Sequence, residues 1–139
     1  TQLGANSTIL ITPDITPAEI KVLFPAGADV VFETSGAAGA AARGLALAKR
    51  GGTLMLMGLN KTPQDFPFTD AVLREVVLQT TVAHVCKDDM PDALALLASG
   101  TVARLLTDRV YSLEDISEAF TALTSGKANG KILVTPQNV

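Results

Sequence analysis

The residues best suited to chemistry stand where apolar runs end. In "GADVVFETSG", residues 27–36, the run Val30-Val31-Phe32 gives way to Glu33, Thr34, Ser35 and Gly36. A run without polar alternation reads as a strand covered on both faces, as in a parallel sheet between helices. Ligands of such open sheets sit beyond the carboxyl ends of the strands, where these four residues fall. Gly58, after the apolar run Thr53 to Met57, is a second such end, where the missing side chain lets a ligand approach the backbone. Other constellations carry less. His84 is the only histidine and no G-x-S-x-G surrounds a serine, which excludes a serine-hydrolase triad. Tyr111 is followed four positions later by Asp115 rather than by the lysine of a short-chain dehydrogenase. His84 and Cys86 would be half a zinc site without a second pair, so they read as an ordinary histidine and a buried thiol. Gly36 and Gly39 in "SGAAGAAARG" are spaced somewhat like a phosphate loop, but close packing of an alanine-rich helix is the simpler reading. Met55 and Met57 alternate along a strand and read as core.

The elements that must position these residues alternate in type. Gly4 reads as the stop of a helix already under way, and Thr8 to Ile11 as a strand. "TPAE", Thr16 to Glu19, combines a capping hydroxyl, an early proline and a glutamate three positions on, predicting a helix to about Phe24. After the Val30 strand comes a helix over "AAGAAARGLALAKR" with cations in its last turn, closed by Gly51-Gly52, then the strand "TLMLM". Thr69 is the expected cap of a helix through "DAVLREV", and Leu78 to Ala83 the next strand. Asp88-Asp89 opens a helix stopped by Gly100; Ser112 and Asp115 bracket the start of "ISEAFTALTS", stopped by Gly126; "KILV" is a last strand. This alternation predicts an α/β chain with a parallel sheet and helices on both faces.

The bulk properties agree with a folded domain. The 139 residues suffice for a real core, and no apolar run approaches the length that spans a bilayer. The formal charge of -3 and the scattered basic residues exclude a nucleic-acid or anionic-membrane footprint. One cysteine excludes an internal disulfide, and no charged leader precedes the first strand, so the expected setting is cytoplasmic.

Taken in order, "GADVVFETSG", "AKRGGTLMLMGL", "LREVVLQTTVAH", "ALALLASG" and "VYSLEDISEAFTALTSGKANGKILVTP" resemble the medium-chain dehydrogenase/reductase family, especially its zinc-type alcohol, sorbitol and threonine dehydrogenases. The resemblance covers essentially the whole chain and implies only the C-terminal part of such a protein. Residues 1–83 would be part of a Rossmann cofactor-binding domain without its first strand and glycine turn, and residues 84–139 the return segment of the catalytic domain. The implied cofactor is NAD or NADP, with zinc held in the absent catalytic domain. By the same resemblance Thr34, Ser35 and Gly36, then Met57, Gly58 and Leu59, then Thr81, Val82 and Ala83 contact the nicotinamide half of the cofactor. Lys131 matches a segment in which some relatives place an arginine near the pyrophosphate.

The implied reaction is hydride transfer between an alcohol and a carbonyl, with these residues positioning the ring and the chain alone inactive. Relatives pair the strand matching 78–83 across a homodimer. The first two strands of the family's sheet would lie between Thr8 to Ile11 and the Val30 strand, so their absence leaves an edge in search of a partner. A zinc-free quinone or enoyl reductase, a methyltransferase fragment and a non-catalytic assembly module remain open alternatives.

Overall fold

Thr16 opens the first helix as its sequence predicts. In the computed structural model, which describes residues 2–12, 14–82 and 85–136, α1 spans Pro17–Leu23. The Thr16 N–H and hydroxyl donate to Glu19 Oε2 at 2.8 and 2.7 Å, and the Glu19 N–H donates to Thr16 Oγ1 at 3.2 Å. The capping box thus satisfies helix-end donors that would otherwise lack partners.

The chain forms two compact units, Ser7–Ala83 and residues 1–6 with 84–139. In the first, the order is α1, β1 (Ala28–Glu33), α2 (Ala40–Leu47), β2 (Ala48–Leu56), α3 (Phe68–Leu73) and β3 (Val77–Thr80). The three strands form a parallel sheet in the order β1-β2-β3. Val31 pairs with Leu54 and Leu54 with Leu78; one step on, Phe32 pairs with Met55 and Met55 with Gln79. Because side chains alternate, the first row faces one side of the sheet and the second the other.

The core lies on the first side. Leu45, Ala48, Leu54, Ala71 and Val76 cluster there, with Val31, Leu56 and Phe66 packed against them. A Cβ on Gly44 of α2 would lie 2.9 Å from Leu54 Cδ1 and 3.7 Å from Val31 Cγ1, so this glycine brings helix and sheet together. Close helix packing, the simpler reading of the glycine-alanine stretch, is therefore present at Gly44. The opposite face carries Val30 and Phe32, 48% and 62% exposed, with Val77 also exposed. The expectation that β1 is covered on both faces thus holds for one face only, because α2 and α3 supply core residues to the Leu54 side.

Several boundaries differ from the sequence expectation. Residues 8–11 form no strand, since no described strand lies beside them and extended backbone needs a ladder partner. The second helix stops at Leu47, and Lys49 and Arg50 lie in β2 rather than in the helix's last turn. Arg74 occupies that helix end instead. Its Nη2 donates to Leu45 O at 2.5 Å and its Nη1 to Ala48 O at 2.9 Å, while its Nε lies 3.1 Å from Asp70 Oδ2. One half-buried guanidinium therefore adds donors to the carbonyls at the end of α2 and joins them to α3. Thr69 lies inside α3 and Pro67 stands at the cap, while β3 is shorter than expected.

In the second unit the elements are α4 (Cys86–Ala98), α5 (Thr101–Leu106), β4 (Thr107–Ser112), α6 (Ile116–Thr124) and β5 (Lys131–Thr135). Strands β4 and β5 pair in parallel. Helix α4 starts two residues before Asp88, with the Val85 N–H donating to Asp89 Oδ2 at 2.7 Å. Ser112 and Asp115 bond reciprocally at 2.8 and 3.3 Å ahead of α6. Helix α5 and strand β4 are not anticipated by the sequence reading. No helix among the described residues is long and apolar enough to cross a membrane.

Truncating Arg74 to methionine removes the bonds to Leu45 and Ala48 and leaves Asp70 unpaired. The expected loss is about 2–4 kcal/mol of unfolding free energy in urea titration, and lysine, with one point charge, should recover less than half of it.

Candidate functional site

The carboxyl ends of the three parallel strands stand in one row, because Glu33 pairs with Leu56 and Leu56 with Thr80. Each strand then leaves the sheet in a turn, through Thr34–Gly36, Met57–Leu59 and Thr81–Val82. These candidates from the sequence come together at one edge of one unit. Ala83 and His84 lie outside the described residues. Lys131 does not join the group within a unit; it opens β5 of the second unit and is exposed.

The first two turns are in contact. The Glu33 main-chain oxygen accepts from the Met57 and Gly58 N–H groups, both at 2.9 Å. Its carboxylate Oε1 accepts from the Ser35 N–H at 2.8 Å, the Ser35 hydroxyl at 2.6 Å and the Gly36 N–H at 2.9 Å. Glu33 is 8% exposed and is the buried charged residue among those described. Burial pushes its carboxyl pKa up, but the bonds from the Ser35 hydroxyl, the Ser35 and Gly36 N–H groups and the Gly58 N–H outweigh it, and the net shift is downward. Arg43 on α2 is the charged side chain lining the same hollow.

Glycine is required at both touching points. A Cβ on Gly58 would run into the Gly36 nitrogen, lie 2.5 Å from Glu33 Oε2 and 2.7 Å from Gly36 Cα. Gly36, at φ +62°, would bring a Cβ against the Leu59 carbonyl, 2.7 Å from its carbon. The neighbour that requires glycine at position 58 is thus the Gly36 backbone. Further along, Asn60 Nδ2 donates to Gly36 O at 2.8 Å and the Gly39 N–H donates to Gln64 Oε1 at 3.0 Å. That amide side chain takes the donor a phosphate would need. Asn60 and Gln64 carried no sequence signal, since their partners are main-chain atoms of a distant turn.

The outward surface of the row is mixed. Thr34, Ser35 and Thr81 are exposed polar residues; Met57, Leu59 and Val82 are exposed apolar ones, which corrects the reading of Met57 as core. Cys86, expected as a buried thiol, is exposed. Among the described residues no three His, Cys, Asp or Glu side chains gather as a metal site. The described residues therefore offer zinc no ligand set.

Residues 1–99 match the family profile described as "Zinc-binding dehydrogenase". The chain belongs to that family. It is 33% identical over 102 residues to D-xylulose reductase of Saccharomyces cerevisiae, covering 72% of this chain and 28% of that protein. It is 33% identical over 141 residues to L-threonine 3-dehydrogenase of Symbiobacterium thermophilum, covering 97% and 39%. Among solved structures, 2R,3R-butanediol dehydrogenase from Bacillus subtilis superposes with a TM-score of 0.75 at 27% identity, over 89% of this chain and 36% of that one. The chain therefore spans between about a quarter and two fifths of the length of these relatives, and its fold is α/β, as in the Rossmann-type dehydrogenase on which it superposes.

Two outcomes follow from the Glu33 and glycine contacts. Gly58→Ala should lose about 1–3 kcal/mol in urea titration, because main-chain atoms must separate; Gly51→Ala, with open space around it, should lose only about 1 kcal/mol from its positive φ. Glu33 has a folded-state pKa below its unfolded value, so it contributes stability above the ordinary glutamate value of 4.5, lost as pH falls through the lowered folded value. Unfolding free energy of the chain should thus drop on acidification below pH 4.5, and Glu33→Gln should flatten that slope.

Proposed function

We propose that this chain is the cofactor-positioning part of an NAD(P)-dependent alcohol or polyol dehydrogenase, in which the turns Thr34–Gly36, Met57–Leu59 and residues 81–83 orient the nicotinamide ring. The observation that carries this reading is the single exposed row formed by the carboxyl ends of β1, β2 and β3, the side on which open parallel sheets bind ligands. Membership of the zinc-binding dehydrogenase family supports it. When bound, a nicotinamide supplies hydride transfer to or from a carbon bearing oxygen. The protein groups here would fix the ring's orientation with main-chain bonds of about 0.5–1.5 kcal/mol each, enough to aim a ring but not to retain a dinucleotide.

On this reading residues 1–83 belong to the cofactor domain and residues 84–139 to the catalytic domain's return segment. Zinc, where the complete protein uses it, is held by residues outside this chain. Lys131 is kept as a pyrophosphate contact supplied by that return segment. A homodimer through the β3 edge is supported by the position of β3 at the end of the sheet and by the exposure of all four of its residues. A cytoplasmic setting completes the proposal.

The test compares the 139-residue chain with the same chain joined to the segments that precede it in its relatives. Reduction of NAD and of NADP is followed with vicinal diols, polyols and L-threonine. Turnover is expected from the joined protein alone, abolished by a zinc chelator, with no turnover from the chain. Binding of S-adenosylmethionine in place of either nicotinamide would replace this reading with the methyltransferase one.

A further inference from the structure

We propose that Glu33 is a positioning residue that makes the two turns move as one body and so fixes the spacing between two of the ring contacts. The inference rests on the nicotinamide reading of those turns and adds a residue that touches no cofactor atom in it. Three observations converge on this carboxylate. Its Oε1 collects the Ser35 N–H, the Ser35 hydroxyl and the Gly36 N–H within 2.6–2.9 Å. Its Oε2 lies on the other side, where a Gly58 Cβ would meet it at 2.5 Å. Its main-chain oxygen holds Met57 and Gly58 at 2.9 Å. One residue thus spans both turns, through side chain and main chain together.

The chemistry demands a carboxylate. Oε1 takes the three side-chain bonds, so a glutamine keeps them only by placing its carbonyl oxygen there, which sets an NH2 that only donates against the Gly58 main chain. An aspartate keeps the charge and can still accept from the Ser35 N–H, but its carboxylate stops a methylene short of Gly58. Arg43 lines the same hollow from α2, and the residues following β2 at this point, Met57, Gly58 and Leu59, bring no charge. Protonation of Glu33 itself therefore breaks the same link as the glutamine substitution.

Amide resonances of Ser35, Gly36 and Gly58 in the 139-residue chain report the coupling directly. In the wild-type chain the three should shift with one common midpoint on acidification, and in Glu33→Gln none should titrate. Solvent exchange at Gly36 or Gly58 should accelerate about tenfold in Glu33→Gln and Glu33→Asp, while Leu45 and Leu54 in the core keep their protection. In the joined dehydrogenase Glu33→Gln should weaken NADH binding about tenfold, read by NADH fluorescence. Separate midpoints for Gly36 and Gly58, unchanged exchange in the variants, or an equal loss of protection at Leu45 and Leu54 would each overturn the proposal. A wild-type joined protein that leaves NADH fluorescence unchanged overturns the nicotinamide reading instead, and the amide data then decide the coupling alone.

Discussion

Everything at the strand ends depends on how closely the backbone of Gly58 approaches that of Gly36. The two main chains are near enough that a methyl group on either glycine would strike the neighbouring turn. Such an approach places peptide N–H groups of both turns around one point, and these need an acceptor when water is excluded. Glu33 is that acceptor. Its burial would be costly for an isolated carboxylate, and the surrounding donors reverse the sign of the effect on its pKa. The sheet brings the strands to the same level; the glutamate sets the distance between the turns that leave it.

A second polar anchor works at the opposite end of the same layer. Arg74 takes the final carbonyls of α2 and faces Asp70 one turn back on α3. Between Glu33 and Arg74 lies the apolar cluster of Leu45, Leu54 and Ala71. Hydrophobic burial holds α2 and α3 to the sheet without fixing direction, and the two charged groups supply direction at its two ends. A small core can in this way carry a defined site edge, because the groups that must be exact are held by hydrogen bonds of specific geometry rather than by area.

Much of this was legible in the sequence, and the misses share a cause. The α/β alternation, the capping box at Thr16 and Glu19, the strand through Val31 and the row of polar strand ends all rest on neighbours within a few residues, which local pattern encodes. The cations Lys49 and Arg50 looked like a helix end for the same local reason. Arg74, 29 residues from Leu45, provides it through a tertiary contact that no window contains. Asn60 and Gln64 bond main-chain atoms 24 and 25 residues away and are equally silent. The strand expected at Thr8 to Ile11 failed for the complementary reason: its apolar pattern is real, but a strand exists only with a partner, and Ile9, Leu10 and Ile11 remain exposed.

The same bonds that make Glu33 a good anchor make it a poor acid or base. A general base needs a free lone pair directed at the substrate proton and a pKa near the working pH. Glu33 has one oxygen occupied by three donors, the other turned toward Gly58, and a pKa shifted away from neutrality. The remaining described residues of the row, Thr34, Ser35, Met57, Leu59, Thr81 and Val82, are hydroxyls and apolar groups. On the proposed reading, a surface of this composition holds and aims a reactive group brought by a cofactor rather than moving a proton itself. The proposed reading assigns proton transfer and activation of the substrate oxygen to other parts of a complete dehydrogenase. That division explains how this layer can be built for rigidity alone: its task ends once the spacing between two turns is set.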